Sequence, residues 1–372
     1  MWLARARNLP LSLSLRAFEP RESFRSVLEL VINLALQWRE IVLEDVPLSL
    51  LPVEGKYPSL VSITMRCVPS PDSPIPSFRG APRLRDIYMT RYTRRIQLHW
   101  HQLTKFRTGW ISIRDCLELL RHASNLVNAH FRLISMYYFD DLALPGAIVL
   151  PQLQSLGLSG PWRARRDPPL DLLKCLKSPA LKSLTLDFED HNSSVCDISP
   201  FLSFVSQPLQ LHTLILSLLP TTADDLIDCL KATPTVTQLE LQISDHILNL
   251  NPLFSKLAGH SDFLSQLESF DLSLSGPPSI ADPSLVLTAL EWRCISTSFI
   301  RLQYFQFVVY IDDRNHELED MDDCDIGAIN DRKTEEYLQS FKSHALYPVL
   351  EASGTGFSFG EYFLEWRAVH PK

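Results

Sequence analysis

A six-residue phrase with apolar side chains at its first, fourth and sixth places recurs along the chain. Leu181, Leu184 and Leu186 form one clear copy, and the last two alternate with polar neighbours as the residues of a half-buried strand do. Each phrase is therefore predicted to form one short strand. Further copies are Trp38/Ile41/Leu43, Leu60/Ile63/Met65, Leu84/Ile87/Met89, Leu103/Phe106, Leu126/Ala129/Phe131, Leu153/Leu156/Leu158, Leu211/Leu214/Leu216, Val236/Leu239/Leu241, Leu267/Phe270/Leu272 and Leu302/Phe305/Phe307.

The spacing of these phrases predicts a repeat protein. Their fourth places stand at 41, 63, 87, 106, 129, 156, 184, 214, 239, 270 and 305, so neighbouring copies are between 19 (87 to 106) and 35 (270 to 305) residues apart. Leucine-rich repeats have periods of about 20 to 29 residues, each with one strand and a helical or irregular return. We therefore predict an α/β fold, a leucine-rich-repeat solenoid with a curved parallel sheet and with helices and irregular returns on its outer face.

Helix start signals lie between the later phrases, where the longer spacing leaves room for a helix. Ser112 or Asp115 precedes one apolar stretch, Asp171 precedes another, and Thr222 with Asp225 three residues later forms a box-like cap. Proline at the first turn marks three more starts, at Ser199-Pro200, Asn251-Pro252 and Asp282-Pro283. The proline-rich stretch over 65–82 predicts an extended return without a helix.

Changes of composition along the chain predict three regions. Residues 1–310 are expected to form the leucine-rich-repeat solenoid. Residues 311–332 are expected to be an acidic mobile insertion, and residues 333–372 a C-terminal helix and end cap, because the open end of a solenoid must be covered. The acidic residues of the insertion are Asp312, Asp313, Glu317, Glu319, Asp320, Asp322, Asp323 and Asp325.

Composition narrows the function classes. A net charge of -8 with 21% charged residues does not favour nucleic-acid binding, which normally brings an excess of lysine and arginine. Seven scattered cysteines without a Cys-x-x-Cys pair predict free thiols in a reducing compartment, hence a cytoplasmic or nuclear protein. No apolar run approaches the roughly 18 residues of a membrane helix. Arg5, Arg7 and Arg16 leave a transit peptide open, although the alternation over residues 10–15 favours a first strand.

The motifs that carry chemistry are incomplete. The stretch Gly356-Phe357-Ser358-Phe359-Gly360 has the letters of a hydrolase nucleophile elbow, but too little chain follows it to supply the acid and histidine. An acidic loop starting at Asp322 lacks calcium ligands at its third, fifth and twelfth places. His99 and His101 have no third ligand nearby. We therefore expect no enzyme activity, no catalytic residue, no cofactor and no metal.

Two basic clusters, at residues 91–95 and 163–166, lie between strand phrases, each beside an aromatic residue. Such a cluster is able to dock an acidic partner peptide or, as a weaker alternative, RNA. A solvated loop is the favoured interpretation of both clusters, because basic runs of this length are common.

Several segments resemble the leucine-rich-repeat region of the expanded fungal F-box protein family: Trp2-Leu3-Ala4-Arg5-Ala6 followed by Pro10-Leu11-Ser12-Leu13-Ser14-Leu15, then residues 78–84, 98–104 and 116–120. In that family the F-box recruits a cullin-type ubiquitin ligase through a Skp-type adaptor, and the repeats hold the substrate. The resemblance implies the substrate-binding part of such a receptor. The family's F-box precedes the phrase that here begins at Met1, so we expect a Skp-type adaptor to bind only if an F-box is present upstream. The regular asparagine ladder of leucine-rich repeats is also missing.

We expect a protein substrate to bind the strand face, and neither nucleic acid nor a membrane. Outward places within the phrases are the candidates because they flank buried strand positions. The alternatives are a stand-alone leucine-rich-repeat scaffold without a ligase connection, or an enzyme with an unrecognised acid pair. The candidate partner-binding residues are Tyr88, His130, Asp187, Glu240, Gln242, Asp271 and Gln306.

Overall fold

The structure is a computed structural model in which the chain forms two compact units. The first comprises Met1–Pro161 and Asp171–Leu181, and the second Trp162–Leu170 and Lys182–Lys372. Each unit is described by itself. The described residues are 9–17, 22–52, 54–67, 75–134, 146–160, 168–188, 197–217, 222–244, 248–275, 281–295, 302–311, 335–352 and 356–363.

In the first unit, seven strands follow one another in the sheet in the order of the sequence, and every neighbouring pair is parallel. Because successive parallel strands need a crossover, each strand is followed by a return that leads back to the start of the next strand. The strands are β1 (Leu11–Arg16), β2 (Trp38–Glu44), β3 (Ser62–Arg66), β4 (Asp86–Met89), β5 (Lys105–Ser112), β6 (Asn128–Ile134) and β8 (Ser155–Gly160). A separate parallel pair joins β7 (Ile148–Val149) to β9 (Leu176–Lys177).

The returns of the first unit contain few α-helices among the described residues. They are α1 (Glu22–Ile32), α2 (Ile113–His122) and, crossing into the second unit, α3 (Pro168–Lys174). Between β2 and β5 the described parts of the returns contain no α-helix, only short 3-10 helices at Leu48–Leu50 and Trp100–Gln102. Glu54, Ser77 and Gln97 form successive parallel bridges, and the rings of Trp38, Tyr57 and Phe78 follow one another with centroids 5.5 and 5.4 Å apart. These returns therefore bury aromatic rings where a helix would bury a leucine stripe.

In the second unit the strands are also parallel and in sequence order, and helices fill most returns. Its strands are β10 (Ser183–Phe188), β11 (Thr213–Ser217), β12 (Gln238–Ser244), β13 (Ser269–Ser275), β14 (Tyr304–Ile311) and β15 (Gly356–Phe363). Its helices are α4 (Ser199–Val205), α5 (Ala223–Lys231), α6 (Asn251–Gly259), α7 (Pro283–Ile295), a helix over 335–343, and α8 (Tyr347–Ala352).

The fourth places of the phrases pair with one another across each unit. In the first unit Ile41, Ile63, Ile87, Phe106, Ala129 and Leu156 are successive partners, and in the second unit Leu184, Leu214, Leu239, Phe270 and Phe305 are. We call these rows the buried ladders, since every member is at most 3% exposed. The prediction of an α/β fold with parallel strands is thereby confirmed.

Five of the predicted helix starts are confirmed, two of them by a side-chain cap, whereas the start predicted at Asp171 is wrong, because that helix begins three residues earlier, at Pro168. Ser112 and Thr222 each accept a hydrogen bond from a backbone N–H three residues later, at 3.1 Å in both cases, from Asp115 and Asp225. The starts at Ser199-Pro200, Asn251-Pro252 and Asp282-Pro283 also open helices, where proline loses no intrahelical hydrogen bond. Local capping chemistry thus fixes where the returns become helical.

Several sequence predictions fall partly or wholly outside the described residues. These are the acidic insertion at 311–332, of which only Ile311 is described, residues 68–74 of the proline-rich return, the basic cluster at 163–166 and the opening residues 1–8. In the predicted end cap, Gly356–Phe363 forms β15, parallel to β14. The elbow-like letters over 356–360 therefore lie within a strand, whereas a nucleophile elbow is a strand-to-helix turn. Within the described ranges, no helix is long and apolar enough to cross a bilayer.

Candidate protein-binding surface

In the second unit, three of the candidate residues lie side by side on the strand face. Glu240 on β12 is the register partner of Asp271 on β13, which is the partner of Gln306 on β14. The side chains alternate with the buried ladder residues of the same strands, and all three are half-buried. Directly opposite residues of neighbouring strands are close enough for their side chains to interact.

Asp187 and Gln242 lie one row further along the same face. Asp187 pairs with Ser217, which pairs with Gln242, so one residue separates the two candidates in this row. Both are half-buried. The structure thus brings the five candidates of the second unit onto two adjacent rows of one face.

Three carboxylates of this face, Asp187, Glu240 and Asp271, form what we call the acidic surface. Partial burial raises the pKa of Glu240, and the charges of Asp271 and then Asp187 raise it further. Burial also raises the pKa of Asp271. Its Oδ1 atom is buried and accepts no hydrogen bond from the part of the chain that the structure describes. The acidic surface therefore repels anions and is electrostatically suited to a cationic group.

In the first unit, Tyr88 and His130 are not direct neighbours, because β5 lies between their strands. Arg107 on β5 pairs with Tyr88 on one side and with His130 on the other. The guanidinium carbon of Arg107 lies 5.8 Å from the Tyr88 ring centroid, and Arg107 Nη2 lies 3.9 Å from Asp86 Oδ1. The two candidates therefore belong to one row whose central member is an arginine.

His130 is exposed, and its imidazole lies over Gly157 on β8. A Cβ at position 157 would collide with Nδ1 of that ring, so the glycine makes room for it. Although the residue as a whole is exposed, the side of the ring that packs against the sheet is buried. This burial, and then the positive charge of Arg107, lower the pKa of His130. The neutral imidazole is thus favoured beside the guanidinium.

Arg107, Trp110 and Arg132 are functional candidates that the sequence phrases did not select. Arg132 lies two residues after His130 on the same strand, and Arg107 is the register partner of both Tyr88 and His130. The alternation of side chains along a strand was therefore sufficient to predict that both arginines lie on the strand face. The alternation alone did not predict that Trp110 lies on this face, because a bulge in β5 changes the alternation there. A glycine inside a strand, here Gly109, is the sequence signal for such a bulge.

Two cavities of the second unit lie away from these rows. One of about 270 Å³ in the second unit opens at the ends of α5 and α6, and neither Glu240 nor Asp271 lines it. Among the described residues no group of three His, Cys, Asp or Glu side chains is placed to hold a metal ion. The residues that line the cavity are Leu230, Lys231, Pro234, Lys256, His260, Asp262, Phe263 and Leu264.

The sequence was compared with models of known protein families and with curated proteins. No family model matches it, and no curated protein was found to be similar to it.

Proposed function

We propose that the chain is a leucine-rich-repeat type of solenoid that binds a protein partner on its strand face and has no catalytic role. The observation that carries the proposal is the pairing of equivalent phrase positions in each buried ladder. Because the ladder and returns bury one face of each strand, the opposite face remains available for a partner along successive strands. A row of half-buried polar and aromatic side chains suits recognition of an extended protein surface.

What the binding achieves is inferred from the resemblance to fungal F-box proteins. On that basis we propose that the bound protein is a substrate of a cullin-type ubiquitin ligase. The Skp-type adaptor would join only through an F-box upstream of these repeats. A stand-alone scaffold without a ligase connection is the alternative, and the recovery of the adaptor distinguishes the two.

The experiment is affinity capture from an extract of the source cells followed by mass spectrometry. A face variant carries Glu240→Gln and Asp271→Asn, and a control carries Asp224→Asn and Asp228→Asn on the exposed side of α5. We expect proteins captured by the wild type to fall by about tenfold or more with the face variant, the range of an interface hot spot. The control should retain them.

A face variant that captures the same proteins at the same level would contradict the strand-face assignment. A version of the chain carrying the upstream gene segment tests the ligase connection in parallel. Recovery of a Skp-type adaptor by that version, and not by the chain alone, is the expected result. Recovery by neither version favours the stand-alone scaffold.

A further inference from the structure

A second charged surface lies on the strand face of the first unit and has the opposite sign to the acidic surface. Register places Tyr88, Arg107 and His130 in one row across β4, β5 and β6. The intervening strand residues are turned to the other face, where Phe106 and Ala129 are buried. Arg107 is therefore held outward by the packing of its own neighbours, with its side chain 55% exposed.

A bulge in β5 adds an aromatic residue to this face. Thr108 pairs with Phe131 and Ile111 pairs with Leu133, so two residues of β5, Gly109 and Trp110, stand opposite Arg132 alone. A bulge of this kind turns side chains that regular pleating would place on the other face. The Arg132 guanidinium carbon consequently lies over the Trp110 ring, 4.1 Å from its centroid.

The bulge depends on glycine for a steric reason. A Cβ at Gly109 would come within 2.6 Å of the carbonyl oxygen of Thr90, which is backbone and unable to move aside. With Arg132 stacked on Trp110 and Arg107 beside Tyr88, both guanidinium groups are positioned by aromatic rings. Positioned guanidinium groups lose less conformational freedom on forming paired hydrogen bonds with a carboxylate.

We propose that this basic–aromatic patch, formed by Tyr88, Arg107, Trp110, His130 and Arg132, binds an acidic segment of a partner protein through its aspartate and glutamate side chains. The planar fork of arginine matches a carboxylate in two parallel hydrogen bonds, and tyrosine and tryptophan supply apolar contact at low entropic cost. Arg107 forms an ion pair with Asp86, and at 3.9 Å this pair is long and exchangeable. The inference rests on the proposed function only in placing the partner on the strand face.

The chemistry of the whole chain favours an acidic peptide over a long polyanion. The net charge of -8 repels a nucleic acid whose phosphates extend beyond the patch. A short acidic segment contacts the patch alone and avoids that repulsion.

The test is a selection of peptides from a random display library on the intact chain, followed by titration of the selected peptides. We expect the selected sequences to be enriched in aspartate and glutamate. Resynthesis with asparagine and glutamine at those places should weaken binding by about tenfold or more, as expected for lost charge-assisted hydrogen bonds. The Arg107→Glu, Arg132→Glu double variant should have an effect of the same size.

Two further variants keep this result interpretable. Arg121→Glu on the exposed side of α2 reverses one arginine charge, as each substitution of the double variant does, but away from the patch, and should alter the affinity by less than about twofold. Arg107→Gln removes the charge of an exposed side chain without reversing it, and should weaken binding by about threefold to tenfold. Hydrogen exchange of β4 to β6 verifies that each variant is folded.

Four results would overturn the proposal. The first two are a set of selected peptides without acidic enrichment, and acidic peptides that bind the double variant as well as the wild type. The third is single-stranded RNA that binds more tightly than any selected peptide and depends on Arg107. The fourth is a self-association of the chain that Arg107→Glu abolishes. If peptides fail while the face variant of the second unit still loses its captured proteins, the proposed function survives and this inference alone is wrong.

Discussion

Each of the two units has its own buried ladder, and the units differ in the returns that cover it and in the charge of the strand face. In the first, the described parts of the returns between β2 and β5 contain no α-helix and bury aromatic rings, and the strand face carries arginines with aromatic residues. In the second, helices α4 to α7 fill the returns, and the face carries carboxylates. The same strand phrase therefore tolerates two kinds of outer layer and two signs of surface charge. The ladder specifies the parallel sheet, while the returns and the face vary independently of it.

The largest expected effect tests whether the two ladders are equivalent. Phe270 lies 5.5 Å from Phe305 between ring centroids, and Phe106 lies 5.9 Å from Phe131, both at 1% exposure or less. Either change to alanine leaves a cavity, so we expect Phe270→Ala and Phe106→Ala each to cost about 3 to 5 kcal/mol of unfolding free energy. Hydrogen exchange of β12 to β14 and of β4 to β6 measures the two losses.

A loss below about 1 kcal/mol in one unit alone would show that its ladder is not the element that stabilises it, and would break the equivalence. Leu36→Ala, at a leucine that is 58% exposed, is the control and should change stability by less than about 0.5 kcal/mol.

The next effect concerns a buried cation in the helical outer layer of the second unit. Arg293 on α7 is 3% exposed and donates to the carbonyl oxygens of Leu257 and Leu264 at 3.1 Å and to that of Phe263. Burial lowers its pKa to about 10. Arg293→Met leaves these acceptors without their donor, so we expect a loss of about 2 to 4 kcal/mol.

Urea denaturation measures this loss, with Lys342→Met, an exposed lysine in the helix over 335–343, as the control. A stability close to that of the wild type would mean that methionine and water replace the guanidinium, and that the loop after α6 does not depend on it.

A smaller effect compares one cap in each unit. Ser112→Ala and Thr222→Ala each remove the acceptor of a 3.1 Å hydrogen bond at a helix start, so each should cost about 1 kcal/mol. Thermal unfolding of the two variants gives the comparison. Ser112→Thr and Thr222→Ser retain the acceptor and should restore most of the loss. Two losses that differ from each other by more than about 1 kcal/mol would indicate that the helix with the smaller loss is stabilised by packing rather than by its cap.

The smallest effect concerns the charge of the acidic surface. The folded protein raises the pKa of Glu240, so its folded state binds a proton more tightly than the unfolded state does, and ionisation costs stability. Glu240→Gln should therefore stabilise the protein by about 0.5 kcal/mol at neutral pH. This advantage should fade as the pH falls through the raised pKa of Glu240.

Urea midpoints measured across that pH range give the sign. Asp224→Asn is the control, because Asp224 lies in the first turn of α5, where a negative charge is favourable, and its loss should destabilise slightly. A Glu240→Gln advantage that grows on acidification would contradict the assignment of the cost to the ionised carboxylate.

Sequence reasoning reached the parallel α/β fold because apolar periodicity reports burial directly. The eleven fourth places fall in strands, and Thr222 and Ser112 cap helices as their chemistry predicts. The expectation that helices occur where the spacing between phrases is long was less accurate. The step from 106 to 129 is short, yet it holds α2, because the cap at Ser112 follows β5 directly. The division into residues 1–310, 311–332 and 333–372 stays a prediction.

For the candidate surface, the sequence selected single residues but not their neighbours. Glu240, Asp271 and Gln306 share a row because their phrases align, and this was implicit in the repeat. The position of Arg107 between Tyr88 and His130 required the strand order, and the contact of Arg132 with Trp110 required the bulge at Gly109. Each of those contacts joins residues 19 to 23 positions apart.

The order of apolar and polar residues thus determined by itself which strand side chains are buried and where five of the described helices begin, because burial and capping act over a few residues. Only the tertiary structure decided which charges stand together. Cross-strand register sets the distance between charges on different strands, and electrostatic interactions depend on that distance rather than on separation along the chain. One unit consequently presents arginines and the other carboxylates from the same six-residue phrase.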